Sequence, residues 1–202
     1  MLIANSCIAV SGLASHPFGS WAAKGDDKRF MWVRDVLSKS LPEMRAIIYG
    51  YNSDLDRTTS FQSIGDLARE LVDQLRAGGW KLPDAKYITF VAHSLGGVVV
   101  KDAIRQLSNS ENASDQAILS KIKGGVLIGV PNLGMDASTF LSIVEGQPNE
   151  VLVEDLSRQS DYLRQLDEAF LGICHTRKLE VFWGYETCKS PVTAVGHAFL
   201  CQ

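Results

Sequence analysis

No stretch of this sequence approaches the ~20 consecutive apolar residues that a membrane-spanning helix needs. No transmembrane segment is therefore expected. Met1-Leu2-Ile3-Ala4-Asn5 carries no basic region and runs directly into strand-like sequence, so no signal peptide is expected. Positive charge is not in excess: the formal net charge is −3. That excludes a basic nucleic-acid binder and leaves no nucleic acid among the expected partners. The pattern Gly-x-x-x-x-Gly-Lys-Ser/Thr is absent, which removes a phosphate-binding ATPase. The four cysteines, Cys7, Cys174, Cys188 and Cys201, form no CxxC or other ligand spacing. Cys174-His175 has no neighbours that would complete a metal site, so neither a metal nor a cofactor is expected. Reduced thiols in an intracellular, cytoplasmic protein are the simplest account of the cysteines. There is no internal repeat and no low-complexity segment.

What is present is enough for one folded unit. The 202 residues are 46% hydrophobic, the range of a single globular domain spanning 1–202 with a sizeable core. Its organising stretch is Tyr87-Ile88-Thr89-Phe90-Val91-Ala92-His93-Ser94-Leu95-Gly96-Gly97-Val98-Val99-Val100. The first half reads as a buried strand, aromatic and β-branched without charge. The second half reads as a helix with Val98, Val99, Ala103, Ile104 and Leu107 facing the core. Between them, Ala92-His93-Ser94-Leu95-Gly96 fits the Gly-x-Ser-x-Gly elbow with alanine at its first small position. A strand that turns straight into a helix strains the serine backbone, so the residues two before and two after must be small. Such a turn exposes Ser94 Oγ and points the Leu95 N–H, at the positive helix end, toward a developing oxyanion.

Further strands are expected at Cys7–Val10, Arg45–Gly50, Gly125–Val130 and Leu179–Tyr185. Phe30 to Ser40 reads as a helix with Met31, Val33, Val36 and Leu37 inward. Ser63 and Asp66 resemble a capping box, opening a helix with Ile64, Leu67, Ala68, Leu71, Val72 and Leu75 on one face and closing at Gly78-Gly79. Asp115 to Ile122 reads as a short helix. Asp136 to Ile173 has room for two or three helices, broken around Gly146-Gln147-Pro148, and is expected to cover the pocket. Strands alternating with helices imply an α/β fold: a mostly parallel sheet of five strands with helices on both faces. Right-handed crossovers bring the loops after the strands to one edge. Ser11–Ala14, Ser94, Asn132 and Glu186 all follow strand ends and can meet there. Leu13, after the first strand, is the candidate second oxyanion donor, with Leu95 the first. His16 and Trp21 are expected to brace the same loop.

With these motifs in place, the chain resembles the α/β-hydrolase superfamily. More closely it resembles the lipase-like serine esterases that include the serine active site-containing proteins; similar domains also open fungal NACHT and NB-ARC receptor-like proteins. Ser11-Gly12-Leu13-Ala14-Ser15-His16-Pro17, Ala92-His93-Ser94-Leu95-Gly96-Gly97, Gly129-Val130-Pro131-Asn132 and Phe182-Trp183-Gly184-Tyr185-Glu186-Thr187 carry the resemblance. It implies a three-layer α/β-hydrolase-like fold, a small ester or lipid substrate, peripheral membrane contact, and association with mitochondrion or endoplasmic reticulum as alternatives to the cytoplasm. The chain departs from the family in five places. Ser11-Gly12 replaces His-Gly, Ala14 replaces glycine, and Asn132 replaces the histidine of Pro-His. The usual first strands and the C-terminal strand-histidine segment are expected to be missing.

The family's chain order is serine, acid, histidine. Glu186 fits the acid position, with Asp136 as runner-up. Of four histidines, only His197 follows both serine and acid, and only Thr187 to Gln202 follow Glu186 at all. The sequence therefore leaves two possibilities. One is a serine hydrolase with Ser94, Glu186 and His197 as its triad. The other is an impaired or truncated copy of the fold serving interaction or signalling.

Overall fold

The computed structural model describes residues 5–23, 30–53, 60–158 and 160–185. Its centre is a 5-stranded sheet in the order β2-β1-β3-β4-β5. Every neighbouring pair is parallel. The strands are β1 (Asn5–Val10), β2 (Met44–Tyr49), β3 (Ile88–His93), β4 (Ile122–Ile128) and β5 (Glu180–Gly184). The five strands are those expected from the sequence.

The helices are α1 (Ser38–Ser40), α2 (Ile64–Ala77), α3 (Leu95–Asn109), α4 (Ala113–Lys121), α5 (Ser138–Val144), α6 (Glu150–Asp155) and α7 (Asp161–Arg177). The stretch after Asp136 thus divides into α5, α6 and α7, with the break where Gly146-Gln147-Pro148 predicts it. α2 opens with the full capping box: Ser63 Oγ accepts from the Asp66 N–H, and Asp66 accepts from the Ser63 N–H. All six residues of its predicted apolar face are buried. Its end is marked by Gly79 at φ 85°, a conformation an L side chain resists.

Alternation along the strands divides the core. Ile8, Val10, Ile88, Phe90, Ala92 and Leu127 join a large cluster with α2, α3 and α7. Cys7, Ala9 and Val91 face the other way, onto Trp21, Met31 and Val33. The two covering layers are therefore unequal, and α3 lies in the thicker one between α2 and α7. Its run Val98-Val99-Val100 disfavours a helix locally. Complete burial of Leu95 to Ile104 overrides that preference.

Two local expectations need correction. Val36 is exposed, and Met31 lies in an isolated bridge to Ala22 rather than in a helix. The reason is that Val33–Leu37 winds as a π-helix, whose i→i+5 bonds rotate side chains away from α-helical spacing. Strand β4 also starts at Ile122 instead of Gly125. A register shift opposite Ile88/Thr89 and Gly124 at φ 136° form a bulge. The strand therefore begins three residues earlier than expected and runs through Gly124.

Candidate active site

Ser94 stands between the end of β3 and the first turn of α3. Its backbone takes φ 51° and ψ −128°, a sparsely populated conformation that costs an L residue on the order of 1–3 kcal/mol. Packing on both sides holds it there. The Ser94 N–H donates to the Ile128 carbonyl at 2.9 Å, and its own carbonyl accepts from the Gly97 N–H at 2.9 Å. A β-carbon on Gly96 would lie 2.6 Å from the Val10 carbonyl oxygen, and one on Gly97 would overlap the Val130 side chain. Ala92 is fully buried. The small residues thus have the role the sequence assigns them: they let α3 start directly against the ends of β1 and β4. Leu95 opens the 15-residue α3, so its N–H sits at the positive end of a helix dipole worth roughly half a unit charge.

The loop after β1 lies against this turn. A β-carbon on Gly12 would be 2.9 Å from Ser94 Cβ and 3.2 Å from His93 Nδ1. The backbone entering Leu13 therefore passes beside the candidate nucleophile, where only glycine fits. Three bonds to the segment after β2 fix that backbone. Tyr51 Oη donates to the Ser11 carbonyl at 2.8 Å, the Ala14 N–H donates to the Ser53 carbonyl at 2.7 Å, and Ser53 Oγ donates to the Ser15 carbonyl at 3.5 Å. Ser15 Oγ adds a bond to the Leu13 carbonyl at 3.0 Å. Ala14 takes φ 49°, the left-handed region, at the position where the family resemblance expects glycine. Burial, and then the neighbouring Tyr49, push the Tyr51 phenol well above its ordinary pKa. It stays a neutral donor to Ser11.

The other predicted residues fall as follows. His16 braces its own loop: its Nδ1 accepts from the N–H groups of Phe18 at 3.2 Å and Gly19 at 3.4 Å. Trp21 is buried and meets Trp32 edge-on, with ring centroids 5.8 Å apart. Asp136 is exposed, and its Oδ1 accepts from the hydroxyl of Ser138 at 2.7 Å and its N–H at 3.1 Å. Those bonds hold its carboxyl below the usual range. His175 is exposed in the last turn of α7. Glu186 and His197 lie outside the described residues.

Sequence reasoning missed three residues next to this site. Tyr51 and Ser53 read only as a polar loop, yet they hold the Leu13 backbone. Lys101 was given no role by the sequence, yet it is buried and bonded to Asn132 at 2.8 Å. A lysine among Val98, Val99, Val100, Ala103 and Ile104 is the one signal that was there to read.

A parallel sheet with a strained serine between strand and helix, and a backbone loop beside it, defines the α/β-hydrolase class of fold. Within that class, the profile described as "Putative serine esterase (DUF676)" matches residues 7–149, and the chain belongs to that family. Protein SERAC1 of Danio rerio is 26% identical over 200 residues, an alignment covering 88% of this chain and 30% of that protein. Protein SERAC1 of Homo sapiens is 25% identical over 170 residues, covering 80% of this chain and 25% of that protein. The chain thus spans less than a third of the length of these relatives. Among solved structures, phospholipase PlaB from Legionella pneumophila superposes with a TM-score of 0.64 at 17% identity, covering 91% of this chain and 39% of that one. The mature lipase BlEst2 of Bacillus licheniformis gives 0.54 at 14%, covering 88% and 63%. Both share the fold. Among the described residues, no helix is long and apolar enough to cross a membrane.

Proposed function

We propose that the chain is a serine hydrolase of carboxylic esters, with Ser94 as nucleophile. The observation that carries this is the Ser94 backbone at φ 51°, strained at the head of α3 and flanked by residues with no room for a larger side chain. Ser94 Oγ attacks the acyl carbon while its proton passes to the base. The N–H groups of Leu13 and Leu95 hold the resulting oxyanion. The ester C–O bond then breaks, and the alcohol leaves with that proton. Water, deprotonated by the same base, attacks the acyl-enzyme; the carboxylic acid leaves and the serine regains its proton. Glu186 as acid and His197 as base follow from chain order. Asp136, exposed and bound by Ser138, is less suited to the acid role.

The proposed substrate class is lipid or small acyl esters. Phe18, Phe61 and Leu133 support it, at 57%, 80% and 85% exposure. Each lies in a loop that follows a strand on the Ser94 edge of the sheet, where apolar side chains favour contact with acyl chains or a lipid surface. The competing proposal is a catalytically impaired module. Ala14, at φ 49° in place of the expected glycine, is the observation in its favour.

A fluorophosphonate probe separates the two. It is expected to label the parent protein at Ser94 and to leave Ser94→Ala unlabelled. Labelling is expected to persist when Ser6 or Ser11, both 1% exposed, is changed to alanine. A folded parent that takes no label would overturn the hydrolase in favour of the module.

A further inference from the structure

Lys101 is 2% exposed and lies one turn after Gly97 on α3. Its ammonium donates to Asn132 Oδ1 at 2.8 Å and to Asp167 Oδ1 at 2.5 Å. It also sits 5.6 Å from the centre of the Phe170 ring and 5.8 Å from that of Trp183. One side chain thus touches the loop after β4, the helix α7 and the strand β5. Burial lowers the Lys101 pKa, and the ion pair with Asp167 opposes that shift. Taking an ammonium out of water costs several kcal/mol before its partners offset it, and a well-packed apolar residue at such a position is often neutral or better for stability. What the lysine supplies that an apolar residue cannot is a fixed position for Asn132.

Asn132 belongs to the segment that follows β4, and that segment is already tied to the elbow. Ile128, the last residue of β4, accepts the Ser94 N–H at 2.9 Å. Val130 occupies the space over Gly97 that a β-carbon would need. The Lys101–Asn132 bond pins the same segment two residues further on, one helical turn further along α3. From these contacts, and resting on the proposed role of Ser94, we infer that Lys101 is a positioning residue. Acting through Asn132, it sets the backbone after β4 against the elbow, and the reactivity of Ser94 depends on it.

The test uses the full chain and the variants Lys101→Met, Asn132→Ala and the double variant. Two quantities are measured: fluorophosphonate labelling of Ser94, resolved into kinact and KI, and amide hydrogen exchange in the segment 129–135. Each single variant is expected to lower kinact by at least about tenfold with KI within about twofold, because small misplacements of reacting groups lower rates steeply. Exchange in 129–135 is expected to accelerate while β1 and β3 stay protected. Because Lys101 acts through Asn132, the double variant is expected to lose no more than the worse single variant. A Lys101→Met protein with parental kinact and parental exchange overturns the inference, as does a double variant whose loss is the product of the two single losses. If Lys101→Met does not fold, Asn132→Ala decides alone: parental kinact and exchange in that variant overturn the inference. A parent that takes no label overturns the role of Ser94 and the reactivity inference with it. In that case hydrogen exchange still decides whether Lys101 holds the loop.

Discussion

Gly96 is where the elbow is least able to yield. A β-carbon there would lie 2.6 Å from the Val10 carbonyl oxygen and overlap that of Ser11, and both obstacles are backbone. Gly96→Val is therefore expected to destabilise the protein by about 1–3 kcal/mol through overpacking, read as a lower urea midpoint at unchanged m-value. A midpoint equal to the parent's would show that α3 does not meet the end of β1 as described. Residues of this kind were legible in the sequence because their constraint is local. Strand, serine and helix follow one another within a few residues, and the small neighbours are the steric consequence. Tyr51 and Lys101 were not legible for the opposite reason. Their partners lie 40 and 31 residues away, and a side chain's pattern does not name a distant acceptor.

At the scale of elements, the end of α2 is joined to the start of α4 by an ion pair whose carboxylate is buried. Arg76 donates to both oxygens of Asp115, at 2.7 Å and 2.6 Å, and Ser110 Oγ adds a bond at 2.6 Å. The Asp115 side chain is 1% exposed, while that of Arg76 is 38% exposed. The Arg76 guanidinium holds the Asp115 carboxyl below the usual range. A carboxyl whose pKa is lower folded than unfolded stabilises the fold above its unfolded value, near 3.9. That contribution is lost as pH falls through the folded value. Asp115→Asn is expected to lower stability at neutral pH by about 1–3 kcal/mol, the range for hydrogen bonds to charged groups. The gap between variant and parent should narrow as the pH falls below about 4. Urea titrations of both proteins at several pH values check this, and a gap that stays constant with pH would refute the charge-based origin. The elements themselves were largely readable. The α2 stripe and capping box are local and periodic, and alternation of strand and helix gives the parallel sheet. The π winding of Val33–Leu37 and the bulge at Gly124 were not readable. The bulge depends on the neighbouring strand, since a β-carbon on Gly124 would collide with the Glu180 backbone.

The whole molecule raises the question of what completes the site. Ser94 and the Leu13 loop meet on one sheet edge, and β5 ends there too, two residues before Glu186. The proposed base, His197, comes later still. If His197 completes a triad, His197→Ala should lower turnover of an activated ester about as far as Ser94→Ala, because triad members act as a unit. Turnover should then rise with pH through a group titrating at roughly 6 to 7, since the imidazole accepts a proton only when neutral. If His197 is not the base, His197→Ala will leave turnover at the parent level. Any acylation will then depend on Ser94 and the oxyanion donors alone, which can still exceed the uncatalysed reaction by about 10³–10⁴-fold. The deciding comparison is parent, Ser94→Ala and His197→Ala side by side on one ester across that pH range. A His197→Ala protein as active as the parent removes His197 from the mechanism. Equal losses in the two variants, with the pH step abolished, assign it the base.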